Sequence, residues 1–190
     1  MFDSVLWLTI AFALAGPLVA GPAYSAAPNL PDHDRTPGAS DPDITQTNYR
    51  EMLCRGADGK KHHTTDAKRP TTSYTTALKK RQLAEWAYSD RKVGHYEEDH
   101  LISLELGGDE ASPKNLWPQP YTNKWGARTK DTLELELGRR ICLPAADSEY
   151  LSLKQARAAV TGDWIASYKQ YVCARKPKLT AKMKAQCKLH

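Results

Sequence analysis

Between Ser152 and Val172 apolar positions recur every three or four residues. Leu153, Ala156, Val160, Trp164, Tyr168 and Tyr171 form one stripe, which predicts a helix with that stripe in a core. A second helix is expected from Trp125 to Arg140, with Ala127, Leu133, Leu137 and Ile141 spaced for one buried face. A third, on looser spacing but rich in alanine, runs through TTALKKRQLAEWAYSD with Ser73 as its cap. The stretch YEEDHLISLELGG passes from acidic residues into a branched, partly alternating run, which predicts a strand ending in a turn at Gly107-Gly108. NLWPQP supplies a second extended segment, in which Pro118 and Pro120 exclude helix. The middle of the chain therefore reads strand, loop, strand, helix.

The ends are different in kind. Residues 5–20 are an uncharged apolar run shorter than most membrane spans, followed by Ala23-Tyr24-Ser25-Ala26-Ala27, and this predicts a secretory signal peptide over 1–27. Cleavage after Ser25 or after Ala27 fits the small-x-small rule, and the expected location is periplasmic or secreted. No stable membrane association is expected once the signal is cleaved. The first residues, Met1-Phe2-Asp3-Ser4, lack a positive side chain, which leaves an uncleaved anchor as the alternative. Residues 28–47, rich in Pro, Asp and Thr, are expected to be a flexible linker or arm with little core. The folded domain is placed at 48–173 and a basic tail at 174–190.

At 190 residues the chain supports one ordinary domain and excludes two large ones. There are 27 Lys+Arg against 22 Asp+Glu; removing 1–27 takes away only Asp3, so the net charge rises from +5 to +6. A modest positive balance suits a polyanion such as nucleic acid, and equally a soluble basic surface. Cys54, Cys142, Cys173 and Cys187 contain no CxxC or CxxH spacing, so disulfides are favoured over structural zinc, with three pairings open. The pair His62-His63 reads as part of a solvated loop, Lys79-Lys80-Arg81 as a solvated helix face, and Glu97-Glu98 as exposed carboxylates before a strand.

The candidate chemistry lies at Asp99-His100. An anionic oxygen can hold a hard divalent cation while a neutral imidazole takes a proton from the water attacking a phosphodiester. On a regular strand these neighbours leave opposite faces, so a shared site needs a twist or bulge there. Such a pair is uninformative alone, and its context gives it meaning. From Tyr96 to Asp131 the sequence YEEDHLISLELGGDEASPKNLWPQPYTNKWGARTKD resembles the HNH endonuclease superfamily, in its exported or prophage-type form with DHLIxLELGG and NLWPQP. The upstream stretch RPTTSYTTALKKRQLAEWAYSD extends the likeness from Arg69 to Tyr171.

The resemblance implies an α+β domain in which a ββα-metal (HNH) hairpin and helix pack with additional helices. It implies His100 as general base and Asp99 as metal ligand. Asn115 opens the second strand as the brace of the hairpin, and Asn123 completes the metal site near the start of the helix. Arg128 and Lys130 would sit on the first helical turns facing the substrate, with a surface salt bridge to Asp131 or Glu134 as the alternative. The implied cofactor is one divalent ion, Mg²⁺ first and Mn²⁺ or another as alternatives. The implied partner is nucleic acid, DNA before RNA, and the products carry 5′-phosphate and 3′-hydroxyl ends. Trp117 and Trp125 are expected to pack in the core rather than stack on bases. Two disulfides are expected to support a small core, and of the three pairings Cys54–Cys142 with Cys173–Cys187 is carried forward. An exported polyanion-binding protein without turnover is the second functional expectation, and a membrane-anchored interaction protein the third.

Overall fold

The computed structural model describes residues 29–55, 69–121, 124–175 and 179–188. The expected signal peptide, His62-His63 and Asn123 lie outside the described residues. In chain order the elements are α1 (Tyr49–Leu53), α2 (Thr72–Glu85), β1 (Tyr96–His100), β2 (Leu116–Pro120), α3 (Ala127–Ile141), α4 (Leu153–Thr161), α5 (Trp164–Tyr168) and α6 (Ala181–Cys187). Among the described residues this is an α+β chain with one two-stranded sheet, and no helix there is long and apolar enough to cross a membrane.

β1 and β2 pair antiparallel, with Glu98 opposite Pro118 and Asp99 opposite Trp117. A strand with prolines at 118 and 120 can pair only if their missing N–H groups fall on the outer edge, which this register achieves. Side chains take the outward carbonyls. Gln82 Nε2 donates to Leu116 O at 2.8 Å and Tyr88 Oη to Pro118 O at 3.0 Å. On the other edge Lys79 Nζ donates to Tyr96 O and Lys130 Nζ to His100 O, both at 2.7 Å.

α3 is the centre of the main core. Leu133, Leu137 and Ile141 are fully buried against Leu153, Ala156, Val160, Trp164 and Tyr168 from the following helices. Trp125 packs edge-to-face on Trp164 and Tyr168, and Trp117 is buried in the sheet, so both serve packing. The disulfides are Cys54–Cys142, which ties α1 to the end of α3, and Cys173–Cys187, which ties α6 to the preceding helical turn.

Four expectations about elements need correction. The strand ends at His100 rather than at Gly107-Gly108. Leu101, Ile102, Leu104 and Leu106 are all buried, so the run does not alternate in burial, and it closes in a 3-10 turn over Leu104–Leu106. The helix expected over 152–172 is broken at Gly162. Asp163 Oδ1 accepts from Ile165 N and Ala166 N and starts a new helix, which widens into a π-turn at Lys169–Cys173. Thr71, not Ser73, caps α2, its hydroxyl accepting from Tyr74 N.

Residues 29–47 are not a free linker. Ile44 is buried in the core, Gly38 N donates to Lys114 O, Asp41 N to Gly107 O and Asp109 N to Ala39 O. Main-chain bonds hold this arm, and a reading of apolar periodicity does not register them. The basic tail also contributes order: α6 is capped by Thr180, and Arg175 pairs with Glu136 of α3 at 2.5 Å.

Candidate active site

β1 delivers Glu97, Glu98, Asp99 and His100 in succession to the rim of a cavity of about 260 Å³, shared with Arg69, Glu105 and, from α3, Asp131 and Glu134. The strand stops at His100, and the neighbours Asp99 and His100 both line this cavity. The turn that follows requires glycine. Gly107 sits at φ +68°, and a Cβ on Gly108 would lie 1.8 Å from Ile102 O.

Asn115 fixes that turn from the second strand. Its Oδ1 accepts from Ile102 N at 2.9 Å, while Nδ2 donates to Ile102 O at 3.0 Å and to Asp109 O at 2.9 Å. Its own carbonyl accepts from Leu101 N. One side chain thus supplies the hydrogen bonds that a paired strand would otherwise supply to Ile102.

The His100 ring is buried, and Nε2 lies 2.9 Å from Glu110 O. A carbonyl oxygen only accepts, so Nε2 carries the hydrogen and the neutral ring holds its lone pair on Nδ1. Burial pushes the imidazole pKa below its ordinary value, against the Glu110 bond and the nearby Asp99 charge, which raise it. The ring is therefore neutral at pH 7, the form a base requires.

Asp99 Oδ2 accepts from Lys130 Nζ at 2.7 Å. The same ammonium donates to His100 O at 2.7 Å and to the Glu134 carboxylate. Lys130 is 0% exposed. Burial alone would discharge it, but Asp99 and Glu134 hold its pKa above that of an ordinary lysine. This corrects the expectation that Lys130 faces substrate or makes a surface ion pair: it is an internal cation beneath the Asp99-His100 junction. Arg128 is exposed, its guanidinium 5.6 Å from the centre of the Tyr121 ring, and it is not among the residues lining the cavity.

Glu97 and Glu98 are half-buried cavity residues rather than exposed carboxylates. Burial, with Asp99 and Asp131 nearby, pushes Glu97 up to about 7. Burial pushes Glu98 up to about 8, against Lys79. Both Glu98 carboxylate oxygens are buried with no hydrogen-bond partner. Burial raises Glu134 as well, opposed by Lys130, and raises Asp131 with Asp99 beside it. The signal for these buried carboxyls was present as three consecutive acidic residues on a strand, of which Glu97 and Asp99 share one face and Glu98 takes the other. The i, i+4 spacing of Lys130 and Glu134 likewise marks a helix pair.

The donor chemistry suits a hard cation, since carboxyl oxygens dominate the lining. Among the described residues no three His, Cys, Asp or Glu side chains already converge on one point. Asp99 and Glu98 are the described donors nearest in sequence to His100, and Asn123 lies outside the described residues. Compared with family models, curated proteins and solved structures, the chain matches none.

Proposed function

We propose that the chain is an exported, metal-dependent endonuclease of the HNH type that hydrolyses phosphodiester bonds of nucleic acid, DNA being the expected substrate, with little sequence specificity. The observation that carries this reading is the His100 ring, neutral, held by Nε2 against Glu110 O and lining a cavity rich in carboxyl groups, which leaves Nδ1 as the basic nitrogen. His100 Nδ1 takes a proton from water, the water oxygen forms a bond to phosphorus, and the 3′ oxygen leaves and gains a proton from solvent. A bound divalent ion such as Mg²⁺, with Asp99 as ligand and Asn123 as the ligand the resemblance adds, supplies positive charge to that leaving oxygen. Its need is electrostatic: carboxyl groups dominate the lining of the cavity, and those that are ionised repel a phosphate unless cations intervene. Arg128, exposed at the start of α3, is available to a flanking phosphate. Two disulfides suit an oxidising compartment and support export.

The test is degradation of plasmid DNA with Mg²⁺, with chelator, and by His100→Ala. Cleavage is expected only in the first, with the variant at least about 100-fold slower, the lower range for a lost general base. Full activity in His100→Ala at unchanged melting temperature removes the base assignment. The second reading, an exported polyanion-binding protein without turnover, is favoured by the Lys130 ammonium already bonded to Asp99. Tight DNA binding without cleavage across Mg²⁺, Mn²⁺, Ca²⁺ and Zn²⁺ would select it.

A further inference from the structure

Lys130 has an unusual set of partners for a lysine. Its ammonium is fully buried, and its three acceptors are a carboxylate oxygen of Asp99, the carbonyl of His100 and a carboxylate oxygen of Glu134. Three oxygens around one positive centre, without solvent, is the environment a small metal cation would otherwise occupy. No phosphate can reach the ammonium there, which excludes direct contact with substrate. The His100 carbonyl bond fixes the backbone at the residue that carries the base. The Asp99 bond falls on Oδ2 and leaves Oδ1 outside it.

We infer that Lys130 is a built-in cation that positions the Asp99-His100 junction and reserves Asp99 Oδ2, so that Asp99 offers a divalent ion one oxygen, Oδ1. The inference rests on the metal-dependent reading above. It makes Lys130 a positioning residue with two effects of opposite sign. The ammonium repels a nearby divalent ion and so weakens its binding, while it holds the ligand and the base in the arrangement that turnover needs.

The experiment uses the full exported chain and Mn²⁺ as probe. In Lys130→Met, which keeps an unbranched side chain one atom shorter and removes its charge, calorimetric titration should give a Mn²⁺ Kd lower by roughly tenfold, as added net ligand charge does at oxygen sites. Plasmid cleavage by the same protein should fall about 10–100-fold in kcat with KM for DNA unchanged. Lys130→Met/Glu134→Gln, which removes one charge of each sign, serves if the single variant does not fold: it leaves the net charge unchanged but still frees Asp99 Oδ2, so the Mn²⁺ Kd should fall by less than in the single variant while kcat falls as before. In the wild-type chain, ¹⁵N NMR of the lysine ammonium groups should show one slowly exchanging signal that persists at saturating Mg²⁺. Loss of that signal on Mg²⁺ addition means the ion displaces the lysine and overturns the inference. So does a Mn²⁺ Kd in a folded variant equal to or weaker than wild type. A wild-type chain that binds Mn²⁺ and cleaves DNA, combined with either of those results, leaves the nuclease reading standing; a wild-type chain that binds no divalent ion removes both.

Discussion

A carboxylate buried without a hydrogen-bond partner is held at the expense of stability, and Glu98 is in that position. Its pKa is raised from 4.5 to about 8, so between those values the folded chain keeps a proton that the unfolded chain has released. The stability tied to that proton is complete below the ordinary carboxylate range and is lost as pH rises through about 8. Glu98→Gln mimics the protonated form. In chelator it should leave the melting temperature unchanged near pH 4 and raise it near pH 9 by roughly 2–4 °C for each kcal/mol recovered. Circular-dichroism melts at both pH values check this, and an equal shift at both would exclude titration as the cause. Asp99 and His100 were legible as a pair because their chemistry is complementary and adjacent. The inward turn of Lys130 was not, since lysine is an exposed residue by type and its three acceptors come from one strand and its own helix brought together only by folding.

The hairpin loop is an element held by one side chain. Asn115→Ala would orphan Ile102 N, Ile102 O and Asp109 O, and each buried group left unpaired costs about 1–3 kcal/mol. A loss of at least about 3 kcal/mol is expected by urea denaturation. Asn115→Asp keeps the acceptor for Ile102 N but loses the donors. The more ordinary elements were readable: α3 carries its period through Leu133, Leu137 and Ile141, and β2 announces itself by its prolines. The end of β1 was not, because what replaces the ladder at Ile102 comes from thirteen residues downstream. The arm 29–47 escaped for a similar reason. Its attachments at Gly38, Ala39 and Asp41 are main-chain bonds, which any sequence can make.

At the scale of the whole molecule, cross-links and ion pairs join segments far apart in the chain. Glu136 of α3 pairs with Arg139, Arg140 and Arg175, so the tail is anchored to the central helix. The Cys54–Cys142 bridge closes a separation of 88 residues and Cys173–Cys187 one of 14. Loop-closure entropy predicts that Cys54→Ser/Cys142→Ser loses roughly 4–5 kcal/mol and Cys173→Ser/Cys187→Ser about 3 kcal/mol. Urea titration of the two double variants compares them, and equal losses would mean chain entropy is not the source. The number of bridges followed from the count of cysteines, whereas the pairing was one of three and needed the fold to decide it. The sheet has a consequence beyond the single chain. Both of its strands are edges, the places where proteins recruit one another into growing sheets and fibrils. Here Lys79, Lys130, Gln82 and Tyr88 take four of the outward carbonyls, and on β2 Pro118 and Pro120 withhold donors. The smallest sheet this fold can have is thus a poor template for self-assembly, and the folded molecule should tolerate high concentration without edge-to-edge aggregation.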